Sequence, residues 1–423
     1  MKAETMLRAL AFIVAGLSAA GATAYPLDGY EETGIRRLEG NRLANEGVVR
    51  DVKQPPGATL GLKDVDLRLV GQTFDLPAPD PAFTRQITGL LSGSMDGYGL
   101  AVLDLSDPAR PRYAEHRGGH RQNVGSVGKI VVALALFQAL ADTYPQDIEA
   151  RKRILKTTIV TADGFSQSDH HTVRMFDPAT RKLVRRTIRI GDQASLYEYL
   201  DWMLSPSSNS AAGMVMREAM LIRQYGTAYP PAEAEIKRFF GDTPKKDLTA
   251  LFERTFLEPV AKNGLDPEGL RQGSIFTATG KRIVPGAGGS YGTARELLRY
   301  LLRMEQGRLV DVWSSREIKR MLYVTERRIR YASSPALAEA AVYFKSGSLY
   351  KCAPEPGYKC KPYAGNVKNY MNSATIIESP AGERRLYYMS TLITNVLRKN
   401  SAAEHQALAT RLQQLISKNN GTR

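Results

Sequence analysis

Cysteine is almost missing from this chain: Cys352 and Cys360 are the two among 423 residues. Two thiols are too few for a zinc ribbon or an iron–sulfur site. Long apolar runs are scarce as well. Beyond residue 24 the longest is 130–137, far short of the roughly 20 residues that cross a bilayer. No internal repeat is present. Acidic groups are in deficit, 43 Asp+Glu against 58 Lys+Arg, for a formal net charge of +15. The composition, 43% hydrophobic and 24% charged, is that of a globular protein and excludes wholesale disorder. The length suits two or three domains of about 150 residues, or one large α/β body with insertions.

Residues 1–24 read as a secretory signal. Lys2 and Arg8 precede an apolar run, and small residues end in Ala22-Thr23-Ala24, the pattern of a cleavage site. The expected location is periplasmic or secreted. Export redirects the meaning of the positive charge. Nucleic acid is excluded as a partner, and anionic cell-wall polymers, membrane surfaces or carboxylate substrates take its place. An oxidising compartment also predicts a Cys352–Cys360 disulfide closing a short loop.

Residues 25–82 read as an N-terminal arm punctuated by Gln54-Pro55-Pro56-Gly57 and Pro77-Ala78-Pro79-Asp80-Pro81. Apolar pieces within 60–70 can dock on the main body, residues 83–423. There the patterning predicts strands at 99–105 and 112–116, a helix over 126–140, and strands at 172–176 and 182–190. A Ser195/Glu198 capping box opens a helix over 196–204. Further helices are expected at 208–224, 232–240, 248–257 and 293–306. Strands follow at 341–347, 373–378 and 385–394, then a closing helix at 402–416. Strands at both ends with helices between predict one sheet built from distant segments, beside an all-helical lobe.

Three short motifs stand in order. In Ser126-Val127-Gly128-Lys129 the serine and lysine lie three apart, on one helical face, so the amine can reach the hydroxyl. A serine at a helix start also faces backbone amides that stabilise an anion. Gly125 and Gly128 are expected to leave room for an incoming acyl group. Ser207-Ser208-Asn209 can supply a proton relay and an amide ligand, or serve only as a helix cap. Lys345-Ser346-Gly347-Ser348 ends an apolar strand, where lysine and hydroxyls can hold a carboxylate and Gly347 admits a substrate backbone. The spacing of the first motif recurs at Ser348-Leu349-Tyr350-Lys351.

Together these motifs resemble the penicillin-recognising serine hydrolases, the class A β-lactamases and penicillin-binding peptidases, which combine S-x-x-K, S-D-N and K-T-G. Here they read S-V-G-K, S-S-N and K-S-G. Gly99-Leu100-Ala101-Val102-Leu103-Asp104-Leu105 is similar to the family's first strand. Gly292-Thr293-Ala294-Arg295-Glu296-Leu297 is similar to its helix before the third motif. The resemblance covers 83–416 and implies a β-lactamase/transpeptidase-like α/β fold, an antiparallel sheet of N- and C-terminal segments packed with helices.

It further implies that Ser126 is the nucleophile, Lys129 its activating amine and Ser207 a proton shuttle. Asn209 would orient substrate, and Lys345, Ser346, Gly347 and Ser348 would bind it, with the amides of Ser126 and Ser348 as oxyanion hole. Class A enzymes add a glutamate that activates the deacylating water. Its E-x-x-L-N pattern is absent between Asn209 and Lys345, which leaves Glu258 and Glu268 as the nearest candidates. The expected function is an exported serine hydrolase forming an acyl-enzyme with β-lactams or D-alanyl peptidoglycan fragments. The alternative is a slow-turnover or non-hydrolysing penicillin or cell-wall binding protein. No cofactor or metal is expected; Asp169-His170-His171 is a weak metal candidate. The arginines of 172–189 either attract an anion or form a solvated strand face.

Overall fold

A computed structural model describes residues 28–51 and 53–421; the expected signal segment lies outside them. Five antiparallel strands make the main sheet: β1 (Tyr98–Asp104), β2 (Arg112–His116), β3 (Ala341–Lys351), β4 (Lys368–Ser379) and β5 (Leu386–Asn395). Their order is β2-β1-β5-β4-β3. The N-terminal hairpin is thus completed by three C-terminal strands, as the distribution of strand patterns predicts. Tyr98 faces Thr394 across β1/β5, and Lys345 faces Ala374 across β4/β3. β3 is an edge strand, which leaves one side of its backbone open to a ligand.

One face of the sheet carries the closing helix α7 (Ser401–Asn419), with Leu408, Leu412 and Ile416 buried against Val342, Ile377 and Tyr388. The other face carries the larger core. At its centre is α2 (Lys129–Thr143), whose apolar residues run all round the helix, the pattern of a fully enclosed segment. Every residue from Lys129 to Ala141 is buried, and Lys129 and Gln138 are the only polar ones among them. Each enclosed Leu, Ile or Val contributes about 1.5–3 kcal/mol. Around α2 pack α3 (Leu196–Leu204), α4 (Asn209–Tyr225), α5 (Ala294–Glu305) and α6 (Val312–Tyr323). The expected Ser195/Glu198 capping box is present at the start of α3.

The N-terminal arm is more structured than its breaker clusters predict. Helix α1 (Arg36–Asn45) precedes them, and Ile35, Leu38, Leu62, Val65 and Leu69 join the larger core. Arg37 holds this polar helix in place. Its guanidinium is buried and donates to both carboxylate oxygens of Asp201 on α3, at 2.5 and 2.6 Å, and to Asn41 and the Val324 carbonyl. Arg36 forks onto Glu198 at 2.8 and 3.0 Å. Two other helices, Ile148–Thr157 and α6, also lie where no helix pattern was evident. The second strand of the basic hairpin ends at Thr187, three residues early.

The arm therefore clamps the helix that leads into Ser207. Burial pushes the Asp201 carboxyl up, and Arg37 opposes that. Removing one partner of a buried pair leaves the other charge uncompensated, at about 3–5 kcal/mol. Arg37→Ala should lower unfolding free energy in urea by that amount; a loss under about 1 kcal/mol would show that the pair is not structural.

Candidate active site

The three motifs meet at one cavity of ≈ 790 Å³, between the edge of β3 and the start of α2. That volume lies within the usual range for small-molecule sites. Ser126 sits in the short turn Gly125–Gly128 that feeds α2. Lys129, one turn on, directs its amine back at it: Nζ lies 3.0 Å from Ser126 Oγ. The amine also donates to Asn209 Oδ1 at 2.8 Å and to the Ser207 carbonyl at 2.6 Å, with Ser207 Oγ 3.3 Å away. From the strand side, Lys345 Nζ reaches the same Ser207 Oγ at 2.8 Å and the Ser346 carbonyl at 3.0 Å. One hydroxyl thus bridges two lysines.

Neither lysine can hold its charge cheaply. Burial in the core pushes Lys129 down to about 7, against the pull of Asp169. Burial, then the Lys129 and Arg330 cations, push Lys345 well below the ordinary lysine value. A neutral amine beside a serine hydroxyl can accept its proton, and a serine so paired is a competent nucleophile. Ser207 is held at φ +67, a conformation rare outside glycine and often found at functional sites.

Two of the glycines, Gly347 and Gly128, also meet demands of the protein's own atoms. A Cβ at Gly347 would lie 2.5 Å from the Val124 carbonyl and 2.6 Å from the Ser126 amide. The glycine thus admits the protein's own Val124–Val127 turn, which brings β3 against the serine. A Cβ at Gly128 would meet Gln272 Oε1 at 2.5 Å, so this glycine makes room for Gln272.

Asp169, weighed in the sequence only as a metal ligand, has another role, and two further site residues, Arg330 and Gln272, carry no sequence signal. Asp169 organises the second motif: its Oδ2 accepts from Ser208 Oγ, Asn209 N and Ser210 N at 2.7–3.0 Å, at the start of α4. Its Oδ1 accepts from His171 Nδ1 at 2.6 Å and from the His170 and His171 amides. With both oxygens so committed, the Asp169–His170–His171 cluster does not fit a metal ion, which would need those lone pairs. Arg330, at the other end of the cavity, donates to Ser346 Oγ at 3.0 Å and Ser348 Oγ at 2.9 Å. Gln272 is buried beside the Ser126 turn and lines the cavity. No spacing rule connects any of the three to the motifs.

The two glutamates singled out as possible bases are elsewhere. Glu258 opens the short helix Glu258–Lys262, and exposed Glu268 pairs with Arg121 at 2.7 Å. Neither lines the cavity. Glu326 is the one carboxylate that does, among the described residues, and Arg174 and Arg185 hold it at 3.6 and 3.4 Å. The basic hairpin is therefore partly neutralised from within, with Arg186 also paired to Asp192 at 2.6 Å. Cys352 and Cys360 form the expected disulfide.

Burial alone would raise the Asp169 carboxyl; the His171 and backbone hydrogen bonds overcome it and hold the group well below the usual carboxylate range. Its stabilising effect is therefore complete above the ordinary value of about 3.9 and is lost as pH falls below it. Asp169→Ala should cost about 1.5–3 kcal/mol near neutrality, as expected for hydrogen bonds to a charged group. The cost should shrink in acid, as read by urea unfolding at several pH values; a pH-independent cost would contradict the capping role.

No curated protein sequence matches this chain. Among solved structures, PBP-A is similar over 82% of this chain and 100% of its own, at 15% identity and a TM-score of 0.49. A beta-lactamase from Sphaerobacter thermophilus DSM 20745 is similar over 80% and 96%, at 14% identity and a TM-score of 0.49. TLA-3 extended-spectrum beta-lactamase is similar over 79% and 98%, at 13% identity and a TM-score of 0.49. The model of the beta-lactamase enzyme family matches residues 82–416, a span that holds the whole sheet and all three motifs, and the chain belongs to that family.

Proposed function

We propose that this chain is an exported serine hydrolase that forms an acyl-enzyme at Ser126 with β-lactams or D-alanyl wall peptides, and that it releases the acyl group slowly. The observation that carries the reading is the 3.0 Å contact between Ser126 Oγ and a buried Lys129 amine lowered to about 7. Neutral Lys129 takes the Ser126 proton as Oγ attacks the carbonyl carbon. The amides of Ser126 and Ser348 stabilise the oxyanion. The carbon–nitrogen bond then breaks, and the proton passes through Ser207 to the leaving nitrogen.

Charge distribution supports an anionic substrate. Lys345 and Arg330 converge on Ser207, Ser346 and Ser348 from two sides. A substrate carboxylate arriving there favours the charged form of Lys345 and repays its burial. Lys129, farther from the anion, keeps its neutral form.

Release of the acyl group requires a base for the attacking water. Gln272 stands beside the Ser126 turn, and an amide can orient a water but cannot take its proton. Glu326 faces Arg174 and Arg185 at 3.6 and 3.4 Å, and no hydrogen bond joins it to Ser126, Lys129 or Ser207 among the described residues. A positioned general base is worth about 10²–10⁴-fold in rate, so deacylation should lag behind acylation. This favours slow turnover over rapid β-lactam hydrolysis.

Intact-mass spectrometry with excess benzylpenicillin should show one adduct that persists for minutes or longer. Ser126→Ala should abolish it, and Gln272→Glu should shorten its lifetime by about tenfold or more. An adduct on the Ser126→Ala protein, or clearance from the unmodified protein within seconds, would overturn the reading.

A further inference from the structure

Strands β3 and β4 are joined by a lobe rather than a tight turn. Residues 352–367 form it, and the Cys352–Cys360 disulfide closes its outer half. Inside, Asn366 binds both the amide and the carbonyl of Ala353 at 2.9 Å, and its Nδ2 also donates to Glu355 at 2.7 Å. Outside, Glu355 pairs with Arg398 at 2.8 Å. The Tyr363 carbonyl accepts from Ser401 N and Oγ at 2.9 and 3.0 Å, which roots the lobe at the start of α7. So many fixed points hold Tyr363 at φ +62, a conformation its backbone would not adopt unaided.

The effect is to present the Tyr363 ring to Arg330. The guanidinium carbon lies 5.1 Å from the ring centroid, and Arg330 itself is at φ +53. Its guanidinium also donates to the Ser346 and Ser348 hydroxyls. Arg330 forms no ion pair among the described residues. The distinction matters physically. A carboxylate neighbour would orient the guanidinium and neutralise it, whereas an aromatic face orients it and leaves its charge available. Two hydroxyls and a ring thus hold a full positive charge at the edge of the cavity.

We propose that Tyr363 is a positioning residue: the disulfide-closed lobe aims Arg330 along the Ser346/Ser348 edge, so that the lobe determines preference for substrates bearing a carboxylate. This rests on the reading that the edge receives the substrate carboxylate. Benzylpenicillin and its methyl ester present the same ring with and without the anion, so their acylation rates separate anchoring from chemistry. The unmodified protein should react faster with the acid than with the ester. Tyr363→Leu should slow the acid about fivefold, as expected for loss of a half-buried cation–π contact. The same variant should leave the ester within about twofold. Tyr363→Phe, which keeps the ring, should match the unmodified protein with both. Equal slowing of acid and ester by Tyr363→Leu would mean a merely structural role, and no slowing of the acid would mean that Arg330 orients itself; either overturns the inference. If the unmodified protein takes the ester as fast as the acid, or takes neither, the anchor reading itself fails before any variant is compared.

Discussion

A lysine ammonium placed on a helix that is buried on every side is costly to keep charged without a compensating anion, and no carboxylate among the described residues touches Lys129. The apolar run 130–137 that makes α2 the centre of the core is therefore also what lowers the amine to about 7. Much of the site follows from that constraint. The neutral amine needs partners, and Ser126, Ser207 and Asn209 supply them. Lys345, equally buried, shares Ser207 with it, so the two amines and one hydroxyl form a chain along which a proton can move. Asp169 stands one layer out, close enough to pull Lys129 upward slightly yet fully occupied in holding the second motif.

The scaffold serves this arrangement through charge pairs that do not touch the cavity. Arg37 and Asp201 secure α3, which delivers Ser207, and the Tyr300 hydroxyl donates to the Ile130 carbonyl at 2.8 Å, tying α5 to the first turn of α2. Lys319 lies between Glu305 and Glu378, at 2.7 and 2.8 Å, and fastens α5 and α6 to β4. Many of the cations behind the net charge are spent inside the protein in this way. Each such pair uses one charge of each sign, so the net excess of +15 stays.

Where side chains read local geometry, the sequence was legible. Ser126 and Lys129 belong together because they lie one turn apart, and the sheet strands announce themselves as short apolar runs bounded by turn residues. The decoy at Ser348 and Lys351 has the same spacing but lies on β3, where residues three apart point to opposite faces. What could not be read depends on tertiary placement. Helix α1 has no amphipathic pattern to announce it, and is held in place because Arg37 finds Asp201 across the chain. Asp169, Gln272 and Arg330 come from loops, and Gly347 and Gly128 answer to the protein's own backbone and side chains. Such demands are invisible until the fold is assembled.

The account turns on whether Lys129 is neutral near physiological pH. NMR titration of lysine side chains, with the Lys129 signal assigned by its loss in Lys129→Met, tests this without any substrate. The account predicts a midpoint at about 7, with the amine neutral above it. A Lys129 that titrates near the ordinary value of about 10.4 would be an ammonium at every relevant pH, and the proposed activation of Ser126 would be contradicted.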